Sequence, residues 1–378
     1  MKLKKRLYKK WVSIVGTGVL AVSLLIGGFN YWIDPLWVFQ HSNSFNNSQL
    51  GFNERQQKTN SIQYRPFQFD TLILGNSIVT FMNPNDLNGR RAFNYAVNGM
   101  GMDEYDAYIE YAKARNGKEF KTIVLGLSFS MSRLDTDNKF VSETEAPSAY
   151  ISQSEDLFYR FKTLFSFNTL SYSVKNFVST FYKMDQWPYY DRNLIKNQGM
   201  VSDSFKTMYI TRQKEIFGTN WGMEDVRYLT NGKLFDKWKA NNPNTEFIVF
   251  TTPMSYPLLQ LLVEKNRLKD YELWLKDITE HFGSFYNFMY PNTVTMNLQD
   301  YYDGLHTTPE TLRYIAQKIT NGNSKGPDDF GEFVNKDLID QHINKIRPQL
   351  LALKNFNGMT ALTGDRGFAE RQVPVVRE

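Results

Sequence analysis

Apolar positions fall into one long unbroken run near the start of the chain and a series of short runs after it. From Trp11 to Trp32 (WVSIVGTGVLAVSLLIGGFNYW) no residue is charged. At about 1.5 Å per helical residue this run reaches roughly 33 Å, enough to cross a hydrocarbon core of about 30 Å. Trp11 at one end and Tyr31 with Trp32 at the other occupy the two interfaces, where amphipathic rings are favoured. A cleaved signal peptide is the rival reading. It suits the sequence less well, because the run is long and leads into Phe29-Asn30-Tyr31-Trp32, not a small-residue cleavage site.

Beyond a polar, turn-rich stretch over 33–68, read as a membrane-proximal connector, the runs shorten to strand length. Asp70–Leu74, Ala92–Val97, Lys121–Gly126 and Glu246–Thr252 have the form of buried strands, and Thr293–Asn297 is expected to be a fifth. Helical periodicity covers Asp103–Asn116, with acids in its first turn where the helix dipole favours them. Further helices are expected over 258–281 and 310–319. Strands alternating with helices predict an α/β fold with a parallel sheet covered on both faces. The stretch between the third and fourth strands far exceeds one crossover. It is aromatic-rich, with Phe158, Tyr159, Phe161, Phe165, Phe167, Tyr172, Phe177, Phe181, Tyr182, Trp187, Tyr189 and Tyr190. Two compatible readings stand: an inserted helical subdomain with its own core, and a lid or sugar-stacking wall over a site. After Gly322, NSKGPDD reads as a linker, 330–355 as a helical hairpin or one long helix, and 358–378 as a weakly structured tail.

The boundaries that result are a cytoplasmic basic flank (1–10), a transmembrane signal anchor (11–32) and the connector (33–68). A domain over 69–320 follows, with an insertion at about 129–225, and then a C-terminal extension (321–378). The formal net charge of +5 fits this scheme. Lys2, Lys4, Lys5, Arg6, Lys9 and Lys10 lie in the first ten residues with no acid among them. The rest of the chain holds 38 bases against 39 acids. The basicity is therefore a topology signal that keeps the N-terminus cytoplasmic and the main domain extracellular or periplasmic. It is no argument for a nucleic-acid partner.

Cysteine is absent, which excludes disulfides, thiolate metal sites, thiol nucleophiles and a lipoprotein anchor. The four histidines are scattered singly, no phosphate-loop or dinucleotide fingerprint is present, and no cofactor is implied. Three features remain. Ser77 follows the first core strand in LILGNSIV, at the sheet edge where ligands bind in open α/β folds. Gly75 would let the backbone turn there, and a following helix would point N–H groups at a developing oxyanion; the plainer reading is a helix-capping serine. Asp303 and His306 in YYDGLHTTPE can supply a general base and the carboxylate that orients it from one loop, held at the helix entry marked by Thr307-Thr308-Pro309-Glu310. The plainer reading is a surface turn. Lastly, Val97-Asn98-Gly99 and Gly126-Leu127-Ser128 follow the second and third strands, where a backbone N–H and a polar side chain can face a tetrahedral intermediate. Read plainly, their glycines only make turns.

In order along the chain, these blocks resemble those of the SGNH (GDSL-like) hydrolase superfamily over about residues 69–320. Gly75-Asn76-Ser77 matches the nucleophile block, Gly99 the oxyanion glycine, and Asp303 with His306 the C-terminal D-x-x-H block. Where the third block usually has an asparagine this chain has Ser128, whose hydroxyl would donate instead. The resemblance implies a three-layer flavodoxin-like fold and a serine ester hydrolase or O-acyltransferase without a metal. Ser77, Asp303 and His306 would be catalytic, and Ser77, Gly99 and Ser128 would form the oxyanion hole. With an N-terminal anchor, the chain looks like the membrane-bound branch associated with cell-envelope and exopolysaccharide acyl transfer. The expected partners are an acylated glycan substrate, the membrane through residues 11–32 and other polysaccharide synthesis or acylation proteins. The alternative is an inactive, glycan-binding or assembly component of the same fold.

Overall fold

A computed structural model of the chain describes residues 2–132, 145–184, 188–199, 201–219, 228–322 and 324–356, with side chains from residue 5. Trp187, Asn323 and the tail over 358–378 lie outside the described residues.

Six strands form the main sheet: β2 (Thr71–Gly75), β3 (Ala92–Asn94), β4 (Thr122–Leu127), β7 (Glu246–Thr251), β8 (Ser284–Asn287) and β9 (Glu332–Asn335). Numbering follows the chain and includes a small separate sheet of β1 (Gln49–Leu50), β5 (Tyr189–Tyr190) and β6 (Lys196–Asn197). The spatial order is β3-β2-β4-β7-β8-β9. The first five strands are parallel and β9 runs antiparallel to β8. The strands read as continuous apolar runs because both faces are covered. Leu72, Leu74, Ile123, Leu125 and Val249 face a core shared with α3 (Tyr105–Asn116), α8 (Gly232–Asn241), α9 (Tyr256–Glu264), α10 (Leu268–Phe282) and α13 (Ile339–Ala352). Ile73, Val124 and Phe250, one position over in each strand, face a second core with Leu312, Ile315 and Ile319 of α12 (Pro309–Asn321). The result is three layers.

Two sequence expectations change. Thr293–Met296 is a helical turn, α11, not a strand: the Asn292 side chain accepts from the Val294 and Thr295 N–H groups and caps it. The fifth parallel strand is β8, whose alternation is too short to stand out. The helical structure expected over 258–281 is present as α9 and α10, parted where Asn266 takes a left-handed conformation (φ 54°). Residues 330–355 hold β9 and α13, not helix alone.

The largest change concerns the connector. Within 33–68 lies α2 (Glu54–Tyr64), and nine consecutive residues from Glu54 to Ile62 are buried, eight of them polar. Asn53 caps it by accepting from Gln56 N. Its side chains reach in every direction. Gln57 Nε2 donates to Pro35 O (2.8 Å), Asn60 Nδ2 to Leu36 O (2.8 Å), Gln56 Nε2 to Ser154 Oγ (2.7 Å) of α4 (Pro147–Glu155), and Lys58 Nζ to Asn94 O and Ala96 O (3.0 and 2.6 Å). Buried polar groups persist only when they are paired, and here the pairing ties residues 35 and 36 to the end of β3 and the segment after it.

The insertion also holds α5 (Tyr159–Leu164), α6 (Phe167–Phe181) and α7 (Asp203–Thr219). At the N-terminus α1 runs from Lys2 to Ile33, and residues 5–22 are exposed throughout. It is long and apolar enough to span a membrane. Only its last third packs on the domain.

Candidate active site

Ser77 sits two residues beyond β2, on the carboxyl edge of the sheet. Gly75 and Gly126 face one another across β2 and β4, and the Val79 side chain fills the slot between them. A Cβ on either glycine would lie 2.4 Å from Val79 Cγ2, so the strand-to-turn passage needs both. No long helix follows Ser77; Val79–Phe81 forms a single 3₁₀ turn, fixed by the Val79 and Thr80 N–H groups on Asn76 O. The expectation of a helix N-terminus behind the serine is therefore corrected.

Asp303 and His306 arrive from the loop before α12. Tyr302 N donates to His306 O, Thr308 N to Asp300 O, and Ser255 N to Gly304 O, which closes the loop and pins it to the start of α9. Thr308 then caps α12 and Pro309 opens it, as the T-T-P-E run predicted. The three side chains converge across 229 positions of sequence. His306 Nε2 lies 2.7 Å from Ser77 Oγ, and His306 Nδ1 lies 2.7 Å from Asp303 Oδ2. Asp303 Oδ1 also accepts from the backbone N–H groups of Leu305 and His306, at 3.0 and 2.8 Å. An ionised carboxylate can only accept, so the shared proton sits on Nδ1 and leaves Nε2 to accept from the Ser77 hydroxyl.

Burial pushes the Asp303 carboxyl up, but the His306 charge and hydrogen bond, with the two backbone donors, hold it below its ordinary value. A carboxylate of this kind contributes stability that is fully present above its unfolded value of 3.8 and is lost as pH falls through the depressed folded value. The stability difference between wild type and Asp303→Asn is thus expected to shrink as pH falls below about 4. Urea unfolding across that range measures it, and a difference that widens on acidification would refute the assignment.

The β3 loop lies beside this group, since Val97 N donates to Gly75 O. Among the described residues, the backbone N–H groups of Ser77 and Gly99 donate to no protein acceptor. Gly99 takes a left-handed conformation (φ 60°). Ser128 behaves differently. It is buried, its Oγ lies 3.2 Å from Ser130 Oγ, and no hydrogen bond joins it to Ser77, Gly99 or His306 among the described residues. Gly126 and Leu127, expected in that loop, belong to β4.

Several residues that hold the site came from segments read as connector or insertion. Arg55 donates to Asn98 O (2.8 Å) and Gly99 O (3.1 Å) while its guanidinium forks onto Glu104 (2.8 and 2.7 Å). Glu54 Oε2 accepts from Asn98 N (2.6 Å), and its Oε1 takes Tyr190 Oη and Lys196 Nζ (2.7 and 2.8 Å). Lys196 Nζ also reaches Thr80 Oγ1 (3.0 Å) and Asn98 Oδ1 (3.3 Å), and Thr80 in turn donates to Ser77 O (2.5 Å). Gln213 of α7 donates to Asp303 Oδ2 at 3.3 Å. One buried network of charges thus grips both the serine turn and the Asn98-Gly99 loop. The only sequence signal was the charge density of Glu54-Arg55 beside a capping Asn53. Comparison with known protein families found no family model that matches the chain, and comparison with curated proteins found no match.

Proposed function

We propose that the chain is a membrane-anchored serine esterase or O-acyltransferase acting on an acyl ester of a cell-surface polysaccharide or envelope glycan. The observation that carries the reading is the continuous hydrogen-bonded chain Ser77–His306–Asp303, with each link at 2.7 Å. The parallel strands, in spatial order second-first-third-fourth-fifth, also have the flavodoxin-like arrangement that the SGNH resemblance implies.

Ser77 Oγ attacks the ester carbonyl carbon as its proton passes to His306 Nε2, and Asp303 stabilises the imidazolium. The negative charge that develops on the carbonyl oxygen is met by the Ser77 and Gly99 N–H groups. Collapse breaks the ester C–O bond, and the leaving alcohol takes the proton from Nε2. Water or a sugar hydroxyl then gives its proton to Nε2 and attacks the acyl-serine carbonyl; the acyl–Oγ bond breaks, and Ser77 Oγ takes the proton back from Nε2. The α1 helix anchors the catalytic domain, with its N-terminal cations in the cytoplasm and the active site outside, where it meets the glycan and other acylation proteins.

Active-site labelling with a fluorophosphonate tests this. Wild type is expected to label, and Ser77→Ala and His306→Ala are not. Equal labelling of all three would overturn the reading. No labelling of wild type, with glycan binding that survives Ser77→Ala, would favour the inactive glycan-binding alternative.

A further inference from the structure

The insertion carries a helix that is turned inside out. In α6 the residues facing the protein are Thr169, Ser173 and Asn176, all buried and polar. Ser173 Oγ donates to Asn30 Oδ1 (2.9 Å), and Asn176 Nδ2 donates to Ser48 O (3.1 Å). The exposed side of α6 carries Phe167, Val174, Val178 and Phe181 beside Asn168, Ser171 and Lys175. In and around α5, Leu157, Phe158, Phe161 and Phe165 are each more than half exposed, as are Phe167 and Phe181. A water-soluble surface helix buries its apolar positions and exposes its polar ones, and so many exposed large apolar side chains in one segment mark an interaction surface.

The position of this face identifies what covers it. The α5–α6 pair packs on the last turns of α1: Asn30 Nδ2 donates to Leu164 O (2.8 Å) and Phe177 packs edge-on against Phe29. The Phe165 ring crosses Gly27 so closely that a Cβ there would meet it at 2.9 Å. Gly27 lies five residues inside Trp32, so Phe165 sits about 7 Å below the level where the span ends. That matches the depth of about 5–10 Å at which amphipathic helices lie in the boundary between headgroups and acyl chains. Charge agrees with this. Between Asp156 and Asp185 there is no acid, while Arg160, Lys175 and Lys183 are present beside Lys162, which pairs with Asp156, a basic balance that suits anionic headgroups.

We propose that α5 and α6 lie in the plane of the membrane, in the leaflet where the C-terminal end of α1 emerges, with their aromatic face in the lipid. The occupant is phospholipid. The inference rests on α1 as a membrane anchor and is independent of the ester chemistry. Two attachments, a span and an interfacial helix pair, would fix the orientation of the catalytic domain over the bilayer, which a single helix with a flexible exit does not.

The chain has no cysteine, so single nitroxide labels can be placed without background. The full chain is reconstituted in vesicles of phosphatidylcholine and phosphatidylglycerol. Labels go at Phe161, Phe167 and Phe181, with Val22 of α1 and the exposed Lys276 as references. Collision with oxygen, which partitions into lipid, is compared with collision with a water-soluble nickel chelate. The ratio of oxygen to nickel accessibility at 161, 167 and 181 is expected to be severalfold above that at 276 and to resemble that at 22. Ratios equal to that at 276, with 22 still in lipid, would overturn the proposal and leave the anchor intact. A label at 22 that also reports water would overturn the anchor and the proposal with it. Shielding of 161, 167 and 181 from both reagents would show a protein in place of lipid and would equally overturn it.

Discussion

Ser77→Ala is expected to lower kcat for an acyl ester on the order of 10⁶-fold, with folding intact. The basis is the proposed division of labour: without Oγ there is no acyl-enzyme, and what is left is substrate binding and whatever the Ser77 and Gly99 N–H groups do for a direct attack by water. Ser77 is half-buried, and among the described residues its hydroxyl has one protein partner, His306 Nε2. Removing one oxygen there costs little stability, so the thermal midpoint should stay close to that of wild type. Non-additivity makes the test sharper. Because serine and histidine act as one unit, Ser77→Ala combined with His306→Ala should be no slower than either alone. Asp303→Asn should lose less, on the order of 10⁴-fold, because it spoils the tautomer without removing the base. Single-turnover kinetics on an acetyl ester would measure all four. Independent, multiplicative losses from the two substitutions, or a Ser77→Ala protein as fast as wild type, would sink the assignment.

The site residues that were legible in the sequence are those whose chemistry is carried by short-range pattern. Ser77 could be placed because an apolar strand and a Gly-Asn-Ser turn announce a sheet edge. Asp303 and His306 could be placed because three positions and a following T-T-P-E fit one loop and a helix start. Four of the five parallel strands were likewise readable, since burial on both faces makes an unbroken apolar run. β8 was not readable, because four alternating residues look like any loop that contains a phenylalanine and a tyrosine. Thr293–Met296 misled for the opposite reason: its β-branched residues favour strand, and the Asn292 cap decides otherwise.

α2 failed on a different ground. A helix polar all round is normally solvated or unstable, so the Glu54–Tyr64 sequence pointed away from a core. Its burial depends on partners scattered over the chain: Pro35 and Leu36, Asn94 to Gly99, Glu104, Ser154, Tyr190 and Lys196. Hydropathy cannot register a polar core whose members lie so far apart. The aromatic stretch was hard to read for a similar reason. Phe158, Phe161 and Phe165 are compatible with a subdomain core or a sugar wall by sequence; their exposure speaks against a core of their own. Phe165 packs against Gly27 of α1, a contact between segments far apart in the chain that a residue count within the insertion does not contain.

Glu54→Ala is expected to be the most destabilising single substitution in the buried network, at about 3–5 kcal/mol. The carboxylate lies among three groups with no other strong acceptor in reach: Lys196 Nζ, Tyr190 Oη and Asn98 N. Burial pushes its carboxyl up, but the charges of Lys196 and Lys58 and the hydrogen bonds of Lys196 and Tyr190 outweigh that and hold it below its ordinary value. Lys58 is pushed down to about 7 by its own burial, against the Glu54 charge, which raises it, and with the Lys196 charge, which lowers it further. Removing Glu54 leaves the Lys196 ammonium, 4% exposed, with only neutral acceptors. The loss is then mainly the cost of an uncompensated charge, not the worth of the pair. That account has a consequence that simple loss of packing lacks. Adding Lys196→Met to Glu54→Ala should restore a good part of the stability, because the stranded charge is gone, whereas two unrelated core truncations would add their losses. Urea unfolding of the wild type, the two single variants and the double variant closes the cycle. A double variant as unstable as the sum of the singles would show that the network is held by shape, and that Asn98-Gly99 and the Ser77 turn are not positioned by charge.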